Sequence, residues 1–296
     1  MDLHTAPQED AGPSPHGNAG KDGPRLIVLA PDLPNPHGGD GGGVTLGTLC
    51  AALASQTEPA VVAFARSEEA VEAVGQSLGT VVPVHRKPPK ERGTVARVRH
   101  RASNLVRWTA GQQPLVAAKF RSAEMAAALR KTVRSFRPDA VLVEQSVMAQ
   151  YLPYLEGVAV KVLTDHEAAG AIPAALPMGS WGQARDRSLW QRDVRRYYPM
   201  ADRVQALNRP DARTVEERSG IPTTVRPPAV PLPARPVDPT ATPPRLLFFG
   251  DYAHHPTPEA ARYVAERVFP RIRREVPGAA LLLKERPLPP KAASAE

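Results

Sequence analysis

A repeated alternation of short apolar runs with amphipathic stretches limits the possible folds of this chain. The amphipathic stretches have helical periodicity and lie at 44–55, 67–78, about 117–136, 146–155 and 181–198. The apolar runs are rich in β-branched residues and are RLIVLA (25–30), PAVVAFA (59–65), TVVPV (80–84), AVLVE (140–144), AVKVLT (159–164) and RVQAL (203–207). Because strands that are apolar throughout belong to a sheet covered on both faces, we predict a parallel, Rossmann-like α/β domain over residues 24–226.

A proline-rich segment interrupts this pattern. Residues 227–244 contain eight prolines in eighteen positions, which favours an extended linker. The pattern then restarts with a strand at 245–250, a helix from Thr257 to about Val276 and a strand at 278–284. Since 52 residues remain from Arg245, fewer than the ~100 of an ordinary domain, we predict that 245–296 is a partial second α/β unit. It belongs either to a truncated two-domain protein or to an appendix packed on the first domain.

The composition favours a soluble, cytoplasmic protein. Residues 1–23 are polar and rich in Gly and Pro, which predicts a disordered tail rather than a signal peptide. No apolar run approaches the roughly 18–20 residues that cross a bilayer. The single cysteine, Cys50, excludes an intramolecular disulfide, and its neighbours TLCAALA favour a buried side chain over a nucleophile.

The net charge of +8 is partly local, since eight Lys/Arg and one acid lie between His85 and Arg107. A solvated helix face would explain this charge, and so would an anionic partner. Nucleic acid is disfavoured because no binding motif accompanies the charge and aromatic residues make up only 5% of the chain. We predict that 86–107 contacts an anionic membrane surface or a lipid-linked acceptor, at the inner face of the membrane. The apolar residues interleaved with these charges are Val95, Val98, Leu105, Val106 and Trp108.

Glycine dominates the connection after the first predicted strand, with five glycines in the six positions 38–43. Such a segment is either a flexible loop or a backbone that approaches a ligand at the edge of a parallel sheet. The helix that follows would add a favourable dipole for an anion. Ten residues separate Ala30 from Gly41 and no acidic residue ends the second strand, so an NAD site is disfavoured.

Acidic residues and a histidine follow two later strands. Glu144 ends AVLVE, and Asp165, His166 and Glu167 come at the end of AVKVLT. Because the carboxyl ends of parallel strands share one sheet edge, these side chains could orient a hydroxyl or transfer a proton. A purely structural role for an isolated histidine is the alternative.

Several segments together resemble a family 4-like glycosyltransferase of GT-B architecture, over about residues 24–284. They are PRLIVLAPDLPNPHGGDGGGVTLGTLCAALA, RPDAVLVEQSVMAQYLPYL, VKVLTDHEAAG, YYPMADRVQALNRPDARTVEERSG and RLLFFGDYAHHPTPEAARYVAERVFPRIRREVPGAALLL. The resemblance implies a nucleotide-sugar donor, a hydroxyl acceptor and transfer without a metal cofactor. It also implies that Gly41 and Gly42 line the cleft and that catalytic His166 orients the transferred sugar. Gly250 and Asp251 would open the donor-binding domain.

The sequence departs from this family in its last part. The Glu-x7-Glu element expected in the donor domain is missing, because the glutamates at 259, 266, 275, 285 and 296 include no pair eight apart. Two hypotheses follow. One is a glycosyltransferase impaired by truncation, and the other is a non-catalytic acceptor-binding or partner module derived from such an enzyme. A generic nucleotide-binding Rossmann domain is a third and weaker alternative.

Overall fold

The structure is a computed structural model of the 296-residue chain. It describes residues 23–35, 41–86, 94–168, 179–228, 244–250, 252 and 256–285. The predicted tail and most of the predicted linker lie outside these residues, so the domain boundaries stay predictions.

A seven-stranded, fully parallel sheet organises the first part of the chain, in the order β3-β2-β1-β4-β5-β6-β7. Its strands are β1 (Arg25–Ala30), β2 (Glu58–Ala65), β3 (Thr80–His85), β4 (Ala140–Glu144), β5 (Val160–Asp165), β6 (Arg203–Ala206) and β7 (Thr223–Val225). This confirms the predicted Rossmann-like α/β fold and all six predicted strands. The short strand β7 at the sheet edge is an addition, since three residues are too few for a recognisable pattern.

Helices cover both faces of this sheet. They are α1 (Gly41–Ala54), α2 (Glu68–Leu78), α3 (Thr94–Thr109), α4 (Leu115–Lys119), α5 (Ala123–Phe136), the 3-10 helix Ser146–Tyr154, α6 (Ser180–Tyr197) and α7 (Arg209–Ser219). Helices α1 and α2 pack on one face, with Leu46 and Cys50 among the buried residues there. Helices α5, α6 and α7 and the 3-10 helix pack on the other. Successive side chains of β1 point to opposite faces of the sheet. Val28 therefore belongs to the core beneath α1 and α2, and Ile27 belongs to the core on the other face.

The helix predictions need four corrections, and the first is α3 (Thr94–Thr109), which was not among the predicted helical stretches. The predicted helix at 117–136 is two helices, because Ser122 caps α5 by accepting a hydrogen bond from the Met125 amide. The stretch 146–155 is a 3-10 helix that contains Pro153, whose ring nitrogen cannot donate to an α-helical ladder. Helix α7 was not predicted, although Asn208 accepts from the Asp211 amide and Pro210 stands in the first turn, which are ordinary start signals.

The last part of the chain forms a second unit with its own sheet. Strand β8 (Arg245–Gly250) pairs in parallel with β9 (Ala280–Glu285). Between them run α8 (Pro256–Tyr263), a π-helical segment (Val264–Val268) and α9 (Phe269–Glu275). The strand–helix–strand order is as predicted, and β8 and β9 do not extend the seven-stranded sheet. Leu247 and Phe249 are exposed on this small sheet.

No helix among the described residues combines the length and the apolar character needed to cross a membrane.

Candidate functional site

The candidate site lies where the strand order reverses. The chain leaves β1 toward β2 on one side, and β4 pairs with β1 on the other side. Connections that run in opposite directions leave a crevice at the carboxyl ends of two such neighbouring strands. A pocket of about 290 Å³ occupies this place, which we call the switch-point pocket. The described residues that line it are Pro31, Asp32, Gly42, Gly43, Leu46, Glu144, Gln145 and His166.

The glycine-rich segment supplies one wall of the switch-point pocket. Helix α1 begins at Gly41, three residues earlier than predicted, so Gly42 and Gly43 form its first turn. Glycine lets the backbone of this turn approach a ligand without a Cβ, and the start of a 14-residue helix carries a partial positive charge. The Asn35 amide donates to the Gly43 carbonyl at 2.9 Å, which ties the preceding loop to the helix. The surroundings of Gly41 are not described, so its predicted place in the cleft stays a prediction.

Glu144 is the buried centre of the opposite wall. Its side chain is only 3% exposed. One oxygen, Oε1, accepts from the Arg226 guanidinium at 2.7 Å and from the Thr164 hydroxyl at 2.9 Å. The Arg226 Nε also donates to the Gln205 side-chain oxygen at 3.0 Å. A buried carboxylate is tolerated when its charge and its lone pairs are matched in this way.

His166 completes the wall and is held by Glu144. Its Nε2 lies 2.8 Å from Glu144 Oε2, and its side chain is 13% exposed. Because Arg226 and Thr164 both donate to Glu144, the network suits a carboxylate, and Nε2 is then the donor. The other ring nitrogen, Nδ1, is then an acceptor, and it has no hydrogen-bond partner among the described residues. A histidine held in one tautomer by a carboxylate is suited to accept a proton or a hydrogen bond from a hydroxyl.

Asp165 and Glu167 flank His166 but do not line the switch-point pocket. Asp165 is fully buried and accepts hydrogen bonds from the Glu167 amide at 2.7 Å and the Tyr198 hydroxyl at 2.6 Å. Glu167 accepts from the Ser146 hydroxyl at 2.9 Å, and burial raises the pKa of its carboxyl. These two acids therefore shape the loop that carries His166. The sequence analysis grouped them with His166 because the sequence alone does not show in which direction the side chains of adjacent loop residues point.

Two backbone positions beside the switch-point pocket have an uncommon conformation. Gln145, directly after Glu144, has φ 72° and Ala168 has φ 47°, both in a region that non-glycine residues seldom adopt. The Arg218 guanidinium donates to the Ala168 carbonyl at 2.9 Å and so supports the second turn. Strained positions of this kind occur often at ligand sites.

The sequence analysis missed Arg226, and it gave no role to Thr164 or Gln145, although these two lie in the predicted segments TDHEAAG (164–170) and EQS (144–146). Arg226 lies 82 residues from Glu144 along the chain, so no local pattern could have joined them. The residues predicted for donor binding lie in the second unit. A Cβ on Gly250 would lie 2.6 Å from Thr257 Cγ2, so a larger residue at this position would force the Thr257 side chain to move. Asp251 lies outside the described residues.

No protein-family model matches this chain, and no curated protein matches its sequence. Solved structures with a related chain path include the glycotransferase of kitacinnamycin (TM-score 0.48, 14% identity, 93% of this chain and 68% of that one). Another is Phytolacca americana UGT2 complexed with UDP-2fluoro-glucose and pterostilbene (TM-score 0.47, 12% identity, 90% of this chain and 72% of that one). A third is a "putative UDP-N-acetylglucosamine 2-epimerase" from Listeria monocytogenes (TM-score 0.44, 14% identity, 90% of this chain and 64% of that one).

These similarities are weak. Each of these TM-scores is below 0.5 and each identity is below 25%, so they establish neither a family nor an activity. The chain spans 64% of the length of the Listeria protein.

Proposed function

We propose that this chain is a glycosyltransferase of the GT-B type, which transfers a sugar from a nucleotide-sugar donor to a hydroxyl acceptor. The observation that carries the proposal is the His166–Glu144 pair in the wall of the switch-point pocket, opposite the glycine-rich start of α1. The resemblance of the sequence to family 4-like glycosyltransferases agrees with this placement.

The proposed chemistry assigns one role to each wall of the pocket. His166 Nδ1 accepts a hydrogen bond from a substrate hydroxyl and takes its proton when the hydroxyl oxygen bonds to the anomeric carbon. The bond from that carbon to the donor phosphate breaks, and the nucleoside diphosphate leaves with the electron pair. Glu144 stabilises the imidazolium that forms, at 2.8 Å from Nε2. The backbone of Gly42 and Gly43 and the positive end of α1 face the developing phosphate charge.

No metal ion takes part in this proposal. Within the described segments, no group of three or more His, Cys, Asp or Glu side chains could hold a metal ion. Transfer without a metal stays a prediction, as do the donor-binding roles of Gly250 and Asp251.

The same proposal implies slow turnover by this chain alone. Charged hydrogen bonds to a diphosphate contribute roughly 1.5–3 kcal/mol each, and the sequence after Arg245 lacks the family's Glu-x7-Glu element. We therefore propose that residues 1–296 bind a nucleotide-sugar donor with an affinity lower by orders of magnitude than a site that makes these contacts. An acceptor-binding module without activity is the competing function.

Calorimetry and a turnover assay separate these functions. The purified chain is titrated with UDP-, GDP- and dTDP-sugars, and release of nucleoside diphosphate is followed with and without a panel of hydroxyl acceptors. The proposal expects measurable release that falls about 100-fold in His166→Gln. His85→Gln is the matched control, because His85 is half-exposed and lies outside the switch-point pocket.

Acceptor binding without release for any donor would favour the non-catalytic module, and unchanged release in His166→Gln would refute the assigned role. Sub-millimolar binding of any donor would refute the expected loss of affinity.

We also propose that α3 contacts an anionic membrane surface. The side chains of Val95, Val98, Leu105 and Val106 follow one stripe of this helix and are 53–82% exposed. Exposed Arg99 lies beside this stripe. The prediction that Trp108 belongs to this surface was wrong, because Trp108 is buried and its indole Nε1 donates to Asp186 at 2.9 Å. Residues 87–93 of the predicted segment lie outside the described residues.

Vesicle co-sedimentation tests this contact. Binding should be stronger to anionic than to neutral vesicles, and Val98→Gln with Val106→Gln should weaken it about tenfold by removing two inserted side chains. Val276→Gln is the control, since Val276 is 40% exposed but lies in the second unit. Equal binding to both vesicle types, with tight and salt-sensitive binding to RNA, would contradict the proposal.

A further inference from the structure

A second and larger cavity, of about 770 Å³, opens between α5, the 3-10 helix and the last turns of α6. We call it the arginine cavity. It shares no described residue with the switch-point pocket. Its walls belong to the helices on the opposite sheet face from α1, where Ala126, Tyr151 and Tyr197 are core residues. Its size falls within the roughly 300–1,000 Å³ of small-molecule sites.

Four arginines from different parts of the chain line this cavity. They are Arg121, Arg130, Arg192 and Arg196, and none of the described lining residues is an aspartate or glutamate. Three acids stand near them: Asp193 is buried and lies 3.7 Å from Arg192, Glu124 lies in the first turn of α5, and Glu156 lines a neighbouring pocket together with Arg130. All four arginines are exposed, so solvent screens the repulsion between them. An anion bound in the cavity would be attracted by several of these positive charges at once.

Three of the four guanidinium groups, those of Arg130, Arg192 and Arg196, contact the surrounding structure. Arg130 lies over the Tyr154 ring at 4.7 Å, and Arg196 lies over the Tyr197 ring at 5.3 Å. Arg192 donates to the Gly111 and Gln112 carbonyls. Stacking leaves the edge of a guanidinium free to donate, so Arg130 and Arg196 can each bind an oxyanion in the plane of the group.

The start of α5 adds to the positive potential. Ser122 and Ala123, its cap and its first residue, are lining residues. The Tyr151 hydroxyl accepts from the Ser122 amide at 2.9 Å and donates to the Phe120 carbonyl at 2.6 Å, which holds this end of the helix beneath the cavity. The helix dipole therefore acts in the same direction as the arginines.

We propose that the arginine cavity binds a phosphate-bearing small molecule. The planar guanidinium groups suit phosphate oxygens, and the tyrosine rings give a ring-containing ligand a surface on which to pack. This inference does not depend on the proposed transferase activity.

Pyrophosphate is the probe that tests it. Calorimetric titration of the full chain at low ionic strength should give saturable binding, weakened about tenfold in Arg121→Gln and in Arg196→Gln. Arg195→Gln is the control, because Arg195 is exposed, adjoins Arg196 on α6 and does not line the cavity. It makes the same change in net charge and should bind as the wild type does. Near-UV circular dichroism checks that all variants are folded.

Two further measurements locate the ligand. Pyrophosphate should slow modification of Arg121 and Arg196 by phenylglyoxal in the wild-type chain, read by mass spectrometry. It should also bind His166→Gln as tightly as the wild type, since His166 lines the other pocket. Absence of saturable binding, equal weakening by Arg195→Gln, or loss of binding in His166→Gln alone would each overturn the proposal.

Discussion

Replacing Arg226 with methionine tests how the candidate site is held together. The change keeps most of the side-chain length and removes the charge that faces Glu144. Arg226 donates to Glu144 at 2.7 Å and to Gln205 at 3.0 Å, and its side chain is 22% exposed. The Glu144 side chain is 3% exposed in the wild-type structure, and without Arg226 its carboxylate would keep two weaker partners, Thr164 and His166.

The expected magnitude follows from the burial of the pair. Removing one partner of a buried pair costs about 3–5 kcal/mol, and the partial exposure of Arg226 favours the lower end, about 3 kcal/mol. In a Glu144→Gln background the same change should cost only about 1 kcal/mol, because no charge is left unpaired. The coupling free energy between the two positions is then about 2 kcal/mol.

Urea unfolding followed by tryptophan fluorescence measures this cycle. All three tryptophans, Trp108, Trp181 and Trp190, lie in the part of the chain that forms the seven-stranded sheet, so the signal reports on that unit. Arg66→Met is the control, since the Arg66 side chain is 71% exposed in its ion pair with Asp32 and should contribute less than about 1 kcal/mol. If the free-energy change of the double variant equals the sum of the changes for Arg226→Met and Glu144→Gln within about 0.5 kcal/mol, the proposed coupling is refuted.

Three further outcomes are expected. Burial raises the pKa of Asp193 from 3.8 to about 6. The folded state then binds this proton more tightly than the unfolded state, so the free energy of unfolding should fall by about 3 kcal/mol as the pH rises through this window. Urea titrations at several pH values should show this fall in the wild type and not in Asp193→Asn, and parallel curves would contradict it. Burial also raises the pKa of Cys50 to about 12, so iodoacetamide should label it at pH 8 only after unfolding; rapid labelling of the folded chain would disprove this. Gly250→Ala should speed amide exchange in β8, because its Cβ would meet Thr257 Cγ2 at 2.6 Å. Adding Thr257→Ser to Gly250→Ala removes that methyl group and should restore slow exchange. Fast exchange in both the single and the double variant would mean that another contact is responsible.

The sequence alone determined the parallel sheet and the edge at which its polar residues gather. Continuous apolar runs are a local property, and parallel strands necessarily end on the same side, so the shared position of Gly42, Glu144 and His166 could be inferred. The helix caps at Ser122 and Asn208 are equally local, because each side-chain oxygen accepts from a backbone amide three residues ahead, although the helix predictions overlooked both.

Only the tertiary structure decided which side chains meet. Arg226 reaches Glu144 because β7 ends beside β6, and a strand of three residues leaves no pattern from which to predict that pairing. Trp108 is buried rather than exposed with Val106 because α6 brings Asp186 to its indole. The arginine cavity likewise joins residues from α5 and α6. Contacts of this kind depend on the packing of elements that are distant in the chain, which local periodicity does not record.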